Sequence, residues 1–91
     1  MTQEIKCSIT GRVQMVMFRD FVRRRAQVLN LVGTVRNISD GSVEVIVQGP
    51  KEVLEEFITH LEKGSLLAYI DHVDVVWRKP QDAFSSFNIV Y

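Results

Sequence analysis

The hydrophobic period switches between strand spacing and helix spacing along the chain, and the order of those switches admits few folds. Glu4 to Thr10 alternates, with Ile5, Cys7 and Ile9 on one face, and reads as a strand. From Asp20 to Leu29 the pattern turns helical. Phe18, Phe21, Val22, Ala26 and Leu29 fall on one stripe, and Arg23, Arg24 and Gln27 lie off it. Asn30 suits a helix stop because asparagine tolerates positive φ. Gly33 to Ile38 reads as a second strand, and Asp40-Gly41 is a hairpin signal. Ser42 to Gln48 forms the third strand, with Val43, Val45 and Val47 on one face. Pro50 is expected to open a second helix at its first position. The buried stripe of that helix is Val53, Leu54, Phe57, Ile58 and Leu61, and Lys63-Gly64 ends it. Ile70 to Arg78 alternates through Val73, Val75 and Trp77, the tryptophan expected in the core, and Phe84 to Tyr91 reads as a final short strand.

Each strand–helix–strand unit leaves room for a further strand between its own two, the split βαβ arrangement of ferredoxin-like folds. The expected class is α+β: a βαββαβ sandwich with a mostly antiparallel sheet, two helices on one face and an extra C-terminal strand. At 91 residues the chain allows one domain, spanning 1–91. The single cysteine, Cys7, excludes an internal disulfide and reads as buried filler. No stretch is long and apolar enough for a membrane span, and Met1 to Glu4 does not resemble a signal peptide, so a cytoplasmic location is expected. Architecture of this kind hosts many unrelated activities, so function has to come from a site.

The formal net charge is zero but unevenly spread. Residues 1–36 hold Lys6, Arg12, Arg19, Arg23, Arg24, Arg25 and Arg36 against Glu4 and Asp20, and the rest of the chain is acidic by the same margin. A basic half in a neutral whole suits a small anion better than a nucleic acid. The segment between the first strand and first helix is where such an anion belongs. A loop entering a helix N-terminus offers unpaired N–H groups and the positive end of the helix dipole. Arg19, at the entrance, adds a fork of charge-assisted donors. Arginines before helices are common, so spacing alone leaves open whether Arg19 is functional.

The residues themselves carry a resemblance. Gly11-Arg12-Val13-Gln14-x-Val16-x-Phe18-Arg19 is similar to the acylphosphatase signature. Gly33-Thr34-Val35-Arg36-Asn37, followed by Asp40-Gly41-Ser42-Val43-Glu44-Val45, resembles the family's second signature, and the ending Phe84-x-x-Phe87-x-Ile89-x-Tyr91 is also similar. The resemblance implies a hydrolase that cleaves the carboxyl–phosphate bond of acyl phosphates, a small-molecule substrate, without cofactor, metal, nucleic acid or membrane, and working as a monomer. It implies that Arg19 and the backbone amides of Met15, Val16, Met17, Phe18 and Arg19 bind the substrate phosphate. Asn37 would orient the attacking water, and the Tyr91 carboxylate would support Arg19. The chemistry is consistent: an acyl phosphate already has a good leaving group, so positioning and charge stabilisation suffice.

One position departs from the pattern. The family most often has glycine where this chain has Met15. If that residue needs positive φ, the methionine costs about 1–2 kcal/mol. The alternative reading is therefore a catalytically weakened, anion-binding module. Other readings have less behind them. Asn37-Ile38-Ser39 matches a glycosylation sequon, but no secretory signal accompanies it. His60 and His72 lack metal-ligand spacing. Cys7 stands alone, which disfavours a copper chaperone, and no glycine–aromatic RNA motif appears.

Overall fold

The structure, a computed structural model, describes all 91 residues. Its elements are β1 (Thr2–Arg12), α1 (Phe18–Val28), β2 (Val32–Asn37), β3 (Val43–Pro50), α2 (Lys51–Lys63), β4 (Tyr69–Arg78) and β5 (Phe87–Ile89). The sheet runs in the order β4-β1-β3-β2-β5. β3 lies between β1 and β2, and β1 between β3 and β4, so each βαβ unit is split by a strand of the other. All pairings are antiparallel except β2–β5. This is the ferredoxin-like α+β sandwich with its added fifth strand.

Register explains the core. Ile5 faces Val47, Cys7 faces Val45 and Ile9 faces Val43, and Val35 adds to the same face from β2. These side chains are fully buried against Phe18, Val22 and Ala26 of α1 and Leu54, Phe57 and Leu61 of α2. Both helix stripes are those expected from spacing. Phe87 of β5 meets Phe57 edge-on, with ring centroids 6.5 Å apart. Cys7 is buried, and desolvation pushes its thiol up to about 12, so it is an inert packing residue.

Some boundaries differ from expectation. Pro50 ends β3 and caps α2 in an extended conformation, so α2 begins one residue later, at Lys51. α1 starts at Phe18 and ends at Val28, and Asn30 supplies the expected positive φ of 57° just beyond. The last strand is confined to Phe87–Ile89; Phe84 lies outside it. Trp77 is 39% exposed because β4 is an edge strand whose inner face is only partly roofed.

The alternation of β1 puts Glu4 on the face opposite Ile5, Cys7 and Ile9. It is nevertheless fully buried, because the stretch after β4 folds across it. Gln48 Nε2 and the Gln81 amide donate to Oε1 at 2.8 and 3.3 Å, and Arg78 Nε donates to Oε2 at 2.5 Å. Gln48 Nε2 also donates to the Asp82 carbonyl, at 2.6 Å. Burial alone would raise the Glu4 carboxyl, but the donors from Gln48, Arg78 and Gln81 outweigh it and hold the pKa below the ordinary value.

Candidate active site

The loop after β1 is built by two anchors and one tether. β1 carries a bulge between Thr10 and Gly11, which turns the strand end. Gly11 has φ of 128°, and a Cβ there would lie 2.1 Å from the Tyr69 carbonyl oxygen, so only glycine fits. Val13 and Phe18 are buried at either end of the loop. Between them Gln14 Nε2 donates to the carbonyls of Ile38 and Ser42, at 2.7 and 2.9 Å. That carboxamide ties the loop to the β2–β3 hairpin. The hairpin is itself closed by Asp40, which accepts from the Ser42 hydroxyl and amide, at 2.6 and 2.9 Å. Those two bonds hold the Asp40 carboxyl below its ordinary pKa.

Met15 and Met17 both adopt the left-handed conformation, with φ of 62° and 60°. Left-handed residues interrupting a turn are what aim successive N–H groups into one concavity. Met17 is the N-cap residue of α1, and no side chain caps the helix. The first helical bond runs from the Phe21 amide to the Met17 carbonyl, at 3.2 Å. No amide from Gln14 to Asp20 donates to a protein acceptor. An ordinary helix start leaves a few such amides. Here the run extends back through the whole loop.

Arg19 stands on the first turn of α1, and its guanidinium carbon lies 4.9 Å from the centroid of the Tyr91 ring. The contact is with the Tyr91 ring; no ion pair joins Arg19 to the Tyr91 carboxylate. The neighbouring Asp20 does not quench Arg19 either. It is taken by Arg23 at 2.5 Å and Arg24 at 2.9 Å, and the bond from Arg23, then that from Arg24, lowers its pKa. Arg19 thus keeps its hydrogen-bonding fork free. It lines a cavity of about 370 Å³ with Met15, Met17, Phe18 and Tyr91.

Asn37 is not in that cavity wall. It is the last residue of β2, opposite Val43, and its Oδ1 is buried with no hydrogen-bond partner. Val35 pairs with Ile89 in parallel, so Asn37 and Tyr91 each follow two residues later, at the same end of the sheet. Arg19, Tyr91 and Asn37 therefore gather at one end of the sheet, beside the loop that Gln14 ties down. Gln14 is the residue whose role the sequence did not disclose, although it stands inside the first signature. His60 and His72 are elsewhere, next to Glu56 at 3.7 Å and Asp74 at 3.0 Å on their own elements.

A model of the acylphosphatase family matches residues 5–89. This chain belongs to the acylphosphatase family. It is 45% identical over 87 residues to the acylphosphatase of Salinibacter ruber, covering 96% of this chain and 92% of that one. It is 46% identical over 69 residues to that of Thermus thermophilus, covering 76% and 78%. The crystal structure of acylphosphatase from Bacillus subtilis superposes with a TM-score of 0.94 at 33% identity and covers all of both chains. No helix is long and apolar enough to cross a membrane.

Proposed function

We propose that this chain hydrolyses acyl phosphates, releasing a carboxylate and inorganic phosphate. The observation that carries the reading is the unbroken run of undonated amides from Gln14 to Asp20, beside the free guanidinium of Arg19. Backbone dipoles and one fixed cation are what a phosphoryl group in transfer requires, because charge accumulates on its equatorial oxygens. Met15, Val16, Met17, Phe18 and Arg19 contribute the amides, and Arg19 adds two parallel donors. Tyr91 is a positioning residue, holding the guanidinium over its ring. The carboxamide of Asn37, which makes no hydrogen bond to the protein, orients the attacking water toward phosphorus.

Water adds through oxygen to phosphorus, and the bond from phosphorus to the acyl oxygen breaks. The electron pair of that bond stays with the carboxylate, and the proton of the attacking water passes to bulk solvent. A carboxylate leaves without protonation, so no general acid is required. We place the protein in the cytoplasm as a monomer working without a cofactor.

The left-handed Met15 favours this reading over the weakened binding module. Methionine takes the conformation that glycine would take, and the loop stays closed. The test is turnover of benzoyl phosphate. The wild-type protein should hydrolyse it well above the buffer rate, with the activity lost in Arg19→Ala and Asn37→Ala. A wild-type rate equal to the blank would refute the proposal.

A further inference from the structure

Two of the three methionines stand in the phosphate loop, and both face solvent. Met15 is 98% exposed and Met17 is 70% exposed. Both also line the cavity of about 370 Å³ that holds Arg19 and Tyr91. Methionine ordinarily fills gaps in apolar interiors. Neither does so here, since Val13 and Phe18 are the loop's buried anchors.

The rest of the chain offers an oxidant little. Cys7 is buried and its thiol is pushed up to about 12, so it carries no thiolate at neutral pH. Met1 precedes β1, at the strand end away from the loop, and Trp77 pairs with Ile5 near that same end. Apart from Met1, every thioether is therefore at the phosphate site.

What oxidation does there follows from Arg19. Its fork is free, because Asp20 is held by Arg23 and Arg24 and Tyr91 presents its ring. A thioether is a weak acceptor. A sulfoxide carries a polarised oxygen on the same flexible side chain. In the cavity wall that oxygen competes with a phosphate oxygen for the guanidinium N–H groups.

We propose that Met15 and Met17 form a sulfoxidation site through which a peroxide reversibly weakens phosphate binding. The inference rests on the proposed hydrolysis and adds a control of that same site. In the step, a thioether lone pair attacks one oxygen of hydrogen peroxide, and the S–O bond forms as the O–O bond breaks. The departing hydroxide takes the proton left on the transferred oxygen. Sulfur loses two electrons and the peroxide becomes water. Methionine sulfoxide reductases reverse the step, oxidising two thiols to a disulfide and releasing the oxygen as water.

The test treats the wild type and Met15→Leu/Met17→Leu with hydrogen peroxide until peptide mass mapping shows the wild-type loop methionines converted. Each protein is compared with its own untreated form, so the basal rates need not match. In the wild type, KM for benzoyl phosphate and Kd for inorganic phosphate should both rise roughly tenfold, with kcat within about twofold. Methionine sulfoxide reductases with dithiothreitol should restore both. The double variant should change by less than about twofold, and a melting curve confirms that each treated protein is folded. An unchanged KM and Kd in the converted wild type, or an equal rise in the double variant, would overturn the inference. Should the double variant fail to fold, the wild type alone decides. The rise in Kd then has to track sulfoxide at residues 15 and 17, and a rise that tracks Met1 or Trp77 oxidation, or that the reductases do not reverse, overturns it. If the untreated protein binds phosphate without hydrolysing benzoyl phosphate, the hydrolase reading fails while Kd still tests the sulfoxidation site.

Discussion

Replacing Met15 by glycine should stabilise the protein and leave its turnover nearly unchanged. Met15 sits at φ of 62°, where a side chain costs about 1–2 kcal/mol. Its side chain is 98% exposed, so its removal forfeits no packing. Glycine gives back about 0.5–1 kcal/mol through the greater entropy of the unfolded chain. The net is a gain of about 0.5–1 kcal/mol, or roughly 2–8 °C in melting temperature for a domain of this size. Thermal unfolding followed by circular dichroism reads that shift. The amides of the loop already point as they would with glycine, so kcat on benzoyl phosphate should move by less than about threefold. A lower melting temperature would show that the methionine is not strained. A rise in turnover of tenfold or more would show that Met15 holds the loop open, as the binding-module reading requires.

Other expectations follow from the same contacts. Asn37→Ala should lower kcat by about a hundredfold or more with stability held within about 0.5 kcal/mol, because the buried Oδ1 has no partner to lose; steady-state kinetics and a denaturant melt read the two effects separately. Gln14→Ala removes the tether to Ile38 and Ser42 and should cost about 1–3 kcal/mol, with a parallel loss of activity that Gln14→Glu does not rescue, since a carboxylate would face two carbonyls. Gly11→Ala should destabilise by more than about 2 kcal/mol, as its Cβ would meet the Tyr69 backbone. Glu4→Gln should cost about 3 kcal/mol by stripping Arg78 of its counter-charge. The pKa of Glu4 is lower in the folded protein than its ordinary value of 4.5, so its stabilisation is present above that value and is lost as pH falls through the folded pKa. Acid unfolding of Glu4→Gln should accordingly be less steep than that of the wild type over that window.

The strand and helix stripes were legible because each obeys a single local rule. Ile5, Cys7 and Ile9 alternate, and Leu54, Phe57 and Leu61 recur at helical spacing, whatever packs on them. The neighbourhood of the two signatures was legible for another reason: far apart in sequence, they meet only if the loop and the end of β2 are neighbours, and the Gln14 bonds make them so. What stayed hidden depends on contacts between remote segments. Glu4 has an ordinary outward position in β1 and is buried only because residues 81 and 82 cross over it. Trp77 fits the inward alternation of β4, but nothing local says that β4 is an edge. Tyr91 was expected to meet Arg19 through its carboxylate; the structure puts the ring there, and which of the two faces Arg19 depends on the residues after Ile89, which belong to no strand.

The central claim is that the amides from Gln14 to Asp20, with Arg19, form the phosphate site. Titration of the 15N-labelled protein with inorganic phosphate, followed by amide chemical shifts, measures it directly. Saturable shifts should concentrate at residues 14–20 and collapse in Arg19→Ala. Saturable shifts centred instead on the Arg24 and Arg25 surface, or no saturable shift in the loop, would contradict the account.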